Sequence, residues 1–342
     1  MKTSLAFGAL ALFSFAASTA SAQILWQDDF ETDSSADYTV LTLGNVPASV
    51  PAFAFDYSAI TTDRGTDIGL APRSAPGDSE SALYMEVNND SEEIANGSGA
   101  VSHAAVATSA SFSGDYEVAV DIFQSINGVD DGSADGSTTY WHVIVNATGN
   151  QVFDWDAPPP TATTDGYMFG GNADNGAGSY DYFAVEGTAG ADNFSATPGV
   201  IWPNSSVTGT ATAGDNLGRD GDARRAAGAS FGPGVDEFET LFPDASVPAG
   251  GAGGEQWMTV YMKQVGGVIQ SKIDTEFVAE PLVVWTLDDP DDTYVSGRVM
   301  LQHTDIFVGS TPPDGKQFVL FDNLTVSVTS AEVSSDIWMM VD

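Results

Sequence analysis

Three carboxylates open the chemical reading of this chain. Asp274, Glu276 and Glu280 stand in the stretch SKIDTEFVAE, two and four residues apart. On a β-strand, residues two apart share a face, so this spacing can gather carboxyl groups on one surface. Retaining cleavage of a glycosidic bond needs two carboxyls about 5–5.5 Å apart, which makes Asp274, Glu276 and Glu280 candidate catalytic groups. The same residues carry a competing reading. Gly266-Gly267 separates two alternating runs, WMTVYMKQV and VIQSKI, and predicts a hairpin. Asp-Thr-Glu then falls where a second turn is due, and Lys272 occupies the position two before Asp274. On that reading the segment is an acidic turn.

Other motifs are weaker. Gly228 to Gly232 spells Gly-x-Ser-x-Gly, but a nucleophile elbow needs a strand before it and a helix after it. Here a Gly/Pro-rich stretch surrounds the motif. The stretch DGSADG supplies Asp131, Ser133 and Asp135, the first half of a calcium loop. Its twelfth position is His142 instead of a bidentate Glu, so the motif is not an EF-hand, and a solvated loop is the alternative.

The elements that must position these groups are β-strands. ALYMEVN, DYEVAVDIF, WHVIVNA, YDYFAVEG, WMTVYMKQV, PLVVWTL, GRVMLQHTD and FVLFDNLTVSV alternate apolar and polar residues and are separated by Gly, Asp, Asn, Ser and Pro. Such a series predicts an antiparallel sandwich or barrel. One short helix is expected, over residues 235–242. Residues 154–255 are dense in Gly, Ala, Asp and Pro and are expected to form long loops elaborating one sandwich. Trp257 and Trp285 begin or fill strands and are expected in the core.

Compartment and charge narrow the function. Lys2, the apolar run LAFGALALFSFAA and the small-x-small triplet Ala20-Ser21-Ala22 predict a secretory signal cleaved after Ala22. That run is short for a bilayer span, and no later run is longer. The 342 residues contain no cysteine, and 48 acidic residues against 10 basic ones give a net charge of −38. Nucleic acid and anionic membranes need clustered Lys and Arg to displace counterions. Both are therefore poor partners, with no nucleic acid and no membrane insertion expected, whereas salty water and hard cations suit the surface.

Several stretches together resemble the concanavalin A-like lectin/glucanase (LamG-like) jelly rolls. They are LWQDDFET, SFSGDYEVAVDIF, WMTVYMKQVGGVIQSKIDTEFVAE and SGRVMLQHTD followed by FVLFDNLTVSV. With FAFDYSAI and ALYMEVNND, the set is similar to poorly characterised exported bacterial proteins of that fold. The resemblance implies an all-β, antiparallel jelly-roll β-sandwich with long loop insertions. It would occupy residues 23–330, between the signal at 1–22 and a C-terminal tail at 331–342. In that family the hydrolases carry Glu-x-Asp-x-Glu on one strand, and Lys272 here replaces the nucleophile. The resemblance also implies a structural calcium shared by the first and last strands, and Asp29 and Asp322 are the candidate ligands, with Asp131 and Asp135 as further metal candidates. Sugar recognition in such sandwiches uses aromatic platforms beside Asp and Asn. The candidates are Tyr140, Trp141, Trp155, Tyr167, Tyr180 and Tyr182; packing in the core is the alternative for each. Jelly-roll alginate lyases offer a further comparison through Tyr261, Lys263, Gln302 and His303. Their Arg-x-Glu-x-Arg strand is missing, and a strand would point Gln302 and His303 to opposite faces. The expected function is non-catalytic binding of an extracellular or cell-surface polysaccharide, with Ca²⁺ as a structural ion. A glycoside hydrolase or polysaccharide lyase, and a structural or adhesive surface protein, are the alternatives.

Overall fold

The computed structural model describes residues 22–43, 51–62, 65–87, 102–125, 139–150, 154–155, 162–163, 166–172, 182–186, 200–201, 240–243, 253–288, 295–305 and 318–329. The expected signal (except Ala22), the C-terminal tail, the Gly-x-Ser-x-Gly motif, Asp131, Asp135 and Tyr180 lie outside these residues. Of the expected helix, Thr240, Leu241 and Phe242 are described: the first two are helical and Phe242 lies in a bend. No helix among the described residues is long and apolar enough to cross a membrane.

Two antiparallel sheets face each other. The first runs β16 (Leu282–Asp288), β15 (Val268–Asp274), β14 (Trp257–Val265), β7 (Tyr116–Gln124), β18 (Phe318–Val328), β4 (Ser81–Glu86) and β3 (Ala52–Asp56), with β1 (Ile24–Asp28) against the far half of β18. The second runs β13 (Val200–Ile201), β12 (Tyr182–Glu186), β11 (Tyr167–Asn172), β8 (Thr139–Ala147), β17 (Ser296–Asp305), β5 (Ser102–Thr108) and β2 (Tyr38–Leu43), with β6 (Phe112–Ser113) on β17. Among the described strands the chain crosses from one sheet to the other between β1 and β2, β2 and β3, β4 and β5, β6 and β7, β7 and β8, β13 and β14, β16 and β17, and β17 and β18. The fold is an antiparallel jelly-roll β-sandwich.

Alternation builds the core. Tyr116, Val118, Val120 and Ile122 of β7 meet Trp141, Val143 and Val145 of β8 between the sheets, with Met258, Val260 and Met262 of β14 and Val319, Phe321, Leu324 and Val326 of β18. Burying each such side chain contributes about 1.5–3 kcal/mol. The other face of the first sheet is also covered. Tyr57 and Ile68 pack there on Ala82, Tyr84, Phe123, Phe318 and Leu320.

Two asparagines in the left-handed region break the alternation. Asn146 (φ 57°) is an extra residue in β8, and Asn323 (φ 51°) is one in β18. Asparagine tolerates that conformation better than most residues. The Asn146 side chain ties the two sheets together: Tyr116 Oη donates to its Oδ1 at 2.6 Å, and its Nδ2 donates to Gln264 Oε1.

One part of the expected loop region is sheet. β11 carries the sequence YMFGGN and pairs along β8. Its two glycines hid the strand from propensity, and both are required by close approach. A Cβ at Gly170 would lie 2.5 Å from His142 Cδ2, and one at Gly171 would lie 2.6 Å from Trp141 Cζ2.

Candidate functional site

Cross-strand register sets four polar residues in one row. Asp274 of β15 pairs with Thr259 of β14, Thr259 with Asp121 of β7, and Asp121 with Asp322 of β18. Directly paired residues share a face, so the row crosses the outer face of the first sheet. Asp121 is wholly buried and fully bonded. Its Oδ1 accepts Arg73 Nε at 2.8 Å and Thr259 Oγ1 at 2.6 Å. Its Oδ2 accepts the Arg73 backbone N–H and Asn323 Nδ2, both at 3.1 Å. The remaining Arg73 donors go to Thr325 Oγ1 at 3.1 Å and to the Asn323 carbonyl.

Asp322 receives no such support. It is 2% exposed, and its Oδ1 accepts the neighbouring Asn323 N–H at 2.7 Å. Burial, with Asp121 and Glu31 nearby, pushes its carboxyl up to about 8. Loss of solvation disfavours the charged form, and like charges add to that.

A groove of about 460 Å³ opens beside the other end of the row. One wall is the segment 67–72, through Asp67, Ile68, Leu70 and Pro72, and the opposite wall holds Asp274, Thr275 and Glu276. Trp257 and Thr259 line the groove between them, with Glu255 nearby. The Trp257 ring is fixed: it packs on Tyr57 and Phe123 at 5.9 and 5.6 Å, and its Nε1 donates to the carbonyls of Ile68 and Gly69. Leu70 is 47% exposed. Burial raises the Asp274 carboxyl, and the charges of Glu280 and Asp121 push the same way. Apolar surface beside several carboxylate acceptors can take a polyhydroxylated ligand, with carbon faces on one side and hydroxyl donors on the other.

No family model and no curated protein matches the chain. Solved structures do. A Bacillus subtilis protein of unknown function with a galectin-like fold is 9% identical, with 90% of this chain and 98% of that one covered and a TM-score of 0.40. A β-1,3-glucanase from Mycobacterium marinum is 12% identical, with 90% and 99% covered and a TM-score of 0.39. The carbohydrate recognition domain of Emp46p in its potassium-bound form is 6% identical, with 88% and 94% covered and a TM-score of 0.39.

The expected site residues divide sharply. Asp274 closes β15 and faces the groove, whereas Glu276 lies in the turn after it, where Val278 N–H bonds the Thr275 carbonyl at 3.3 Å. Glu280 lies beyond that turn and is exposed. The three carboxylates therefore do not share a strand face, because the strand ends at the first of them. His303 is not a surface base: alternation in β17 sends it inward with Val299 and Leu301, its Nδ1 lies 3.2 Å from the Met85 carbonyl, and burial lowers it to about 3.

The aromatic platform also needs correction. Trp141 and Tyr167 belong to the core between the sheets, and Tyr140 is buried on the other face of β8, stacked against His142. None of the three presents a ring face to solvent. Trp155 and Tyr182 lie in β9 (Asp154–Trp155) and β12, and their side chains lie outside the described residues. Asp29 is exposed and accepts the Glu31 N–H at 3.2 Å. The first strand does lie against the last, as expected, yet the N-terminal carboxylate whose charge acts on Asp322 is Glu31.

Sequence reasoning did not single out Asp121, Arg73 or Thr259. A signal existed for Asp121: in YEVAVDIF it takes the alternating position shared with Ala119 and Phe123, a charge flanked by apolar residues on a strand face. On the outer face of the second sheet, His103 Nδ1 lies 3.1 Å from Gln302 Nε2 and 3.0 Å from Thr304 Oγ1.

Proposed function

We propose that the chain is an extracellular, non-catalytic carbohydrate-binding protein whose ligand lies in the groove between segment 67–72 and the end of β15. The groove itself carries this reading: a rigid indole, an exposed leucine and a proline stand beside Asp67, Asp274 and Glu276. Carboxylates accept sugar O–H groups through charge-assisted bonds. With a net charge of −38, polyanionic glycans are repelled, so the ligand is a neutral or amine-bearing glycan. The test is a titration of the full chain with neutral and amino-sugar oligosaccharides, followed by tryptophan fluorescence and calorimetry. Glu276→Gln, an exposed change that spares the core, is expected to weaken binding about tenfold. Binding that is absent, or indifferent to Glu276→Gln and Asp274→Asn, would overturn the proposal.

Hydrolysis is the second reading, and the raised Asp274 carboxyl in the groove favours it as a general acid. Release of reducing ends that disappears in Asp274→Asn would replace binding by catalysis.

A structural calcium ion is proposed at Asp322. Among the described residues no group of three His, Cys, Asp or Glu side chains is arranged as a metal cage. The fit rests on Asp322 itself, a buried carboxylate whose nearest cation, Arg73, is committed to Asp121. Calcium is held by carboxylate and backbone oxygens alike, and Asp322 with Glu31 would supply the charged ones. Thermal unfolding at neutral pH should fall on adding a chelator, and Asp322→Ala should remove the difference. Equal midpoints with and without chelator would dismiss the ion.

A further inference from the structure

We infer that Arg73 is the positioning residue of the groove: it latches segment 67–72 onto the first sheet and so sets the distance between the two walls. The inference deepens the proposed glycan site and rests on that reading for its binding consequence. Its structural part stands independently.

Segment 65–80 crosses the outer face of the sheet and makes few ordered bonds within itself. A bridge joins Asp67 to Thr61, and short turns place Ser74 N–H on the Ala71 carbonyl and Asp78 N–H on the Ala75 carbonyl. Ile68 packs on the outer face of the sheet, and two sets of hydrogen bonds add to that packing. One comes from the Trp257 indole, which holds the carbonyls of Ile68 and Gly69 from below. The other comes from Arg73, directly after the last lining residue, Pro72.

Arg73 grips with both its backbone and its side chain, and its partners all belong to β7 and β18. The backbone N–H and Nε take the two oxygens of Asp121, Nη1 takes Thr325, and Nη2 takes the Asn323 carbonyl. Ser74 adds a contact of the same kind, because its Oγ accepts Asn323 Nδ2 at 3.2 Å. A charge-assisted bond from a planar guanidinium whose other nitrogens are also engaged is directional as well as strong. The far side of Asp121 is held by Thr259, which itself lines the groove. One carboxylate therefore joins the wall, through Arg73, to the floor, through Thr259. A wall fixed before the ligand arrives avoids the ordering cost of closing on it.

Removing Arg73 alone would leave Asp121 buried and unpaired, which itself threatens folding. The test therefore uses the double variant Arg73→Met with Asp121→Asn, and Arg73→Lys as the conservative single change. Amide hydrogen exchange on the full chain is compared between residues 65–78 and strands β7 and β18. The double variant should keep strand protection while exchange across 65–78 rises at least tenfold. Arg73→Lys should fall between it and the unmodified chain, since lysine keeps the charge and loses the fork. Unchanged exchange across 65–78 with intact strands overturns the latch. In the oligosaccharide titration the double variant should bind about tenfold more weakly, mainly through slower association. A mobile segment with unaltered affinity overturns the positioning role. If the unmodified chain binds no oligosaccharide, the glycan reading fails and the exchange result alone decides the latch.

Discussion

At pH 8 and without divalent cations, Asp322→Asn is expected to be more stable than the unmodified chain by on the order of 3–5 kcal/mol. The native carboxyl is raised to about 8 from an ordinary 3.8. Between those values the folded chain holds a proton that the unfolded chain releases. Stability from this group is therefore full below pH 4 and is lost as pH rises through 8. Asparagine keeps the shape and carries no charge at any pH, so the advantage of the variant should grow from nearly nothing at pH 4 to its full size above pH 8. In melting temperature that is a gap of roughly 10 °C for a domain of this size. Calcium should act in the opposite direction, by favouring the ionised carboxylate and closing the gap from the unmodified side. Parallel pH profiles for the two proteins would show that Asp322 is solvated or paired in solution.

Gly297→Ala is expected to abolish folding or to cost about 3 kcal/mol or more. A Cβ at Gly297 would stand 2.2 Å from the Asn146 carbonyl carbon and 2.5 Å from its oxygen. Both are backbone atoms of the β8 bulge, so no side chain can swing aside. Gly166 closes on the same bulge from the opposite neighbour, where a Cβ would meet the Val145 carbonyl oxygen at 2.3 Å. The bulge is thus squeezed between two glycines, while its Asn146 side chain bridges the sheets. Gly266→Ala provides the comparison. That hairpin glycine has a φ of 56° and nothing within 4 Å of its would-be Cβ. It should lose only about 1–2 kcal/mol, from the left-handed backbone. Chemical denaturation of both variants measures the contrast, and similar midpoints would contradict the close approach at Gly297.

The strands were legible because the core is built by alternation. In β7, β14 and β15 the apolar positions of the sequence are the positions that meet between the sheets. The same rule held the answer for several site candidates. In TYWHVIVNA, Trp141 keeps step with Val143 and Val145, and in RVMLQHTD, His303 keeps step with Val299 and Leu301. Residue type suggested chemistry at these places, and period two assigned them to the interior. The acidic row was illegible for another reason. Asp274, Asp121 and Asp322 come together through the pairing of β15, β14, β7 and β18, whose order in the sheet does not follow the chain. Arg73 lies in APRSAPGD, a stretch without periodicity, so nothing local announced its partner 48 positions away. Composition misled most at β11, where glycine suggested a loop and the structure needs bare backbone beside two rings.

Asn323 is supernumerary. From Asp322 to Thr325 the last strand advances three residues while β7 advances two, from Asp121 to Ala119. Excising Asn323 would leave Phe321 and Leu324 inward and Asp322 and Thr325 outward, as a plain strand requires. The insertion therefore contributes nothing to the alternation of its own strand. What it adds is a carbonyl turned toward Arg73 and an amide for Asp121 and Ser74. A chain shortened by this one residue should keep its two sheets and hold the covering segment less tightly, with Asp121 and Thr325 left as the partners of Arg73. A single surplus position of the sandwich thus supplies two of the groups that hold its covering segment.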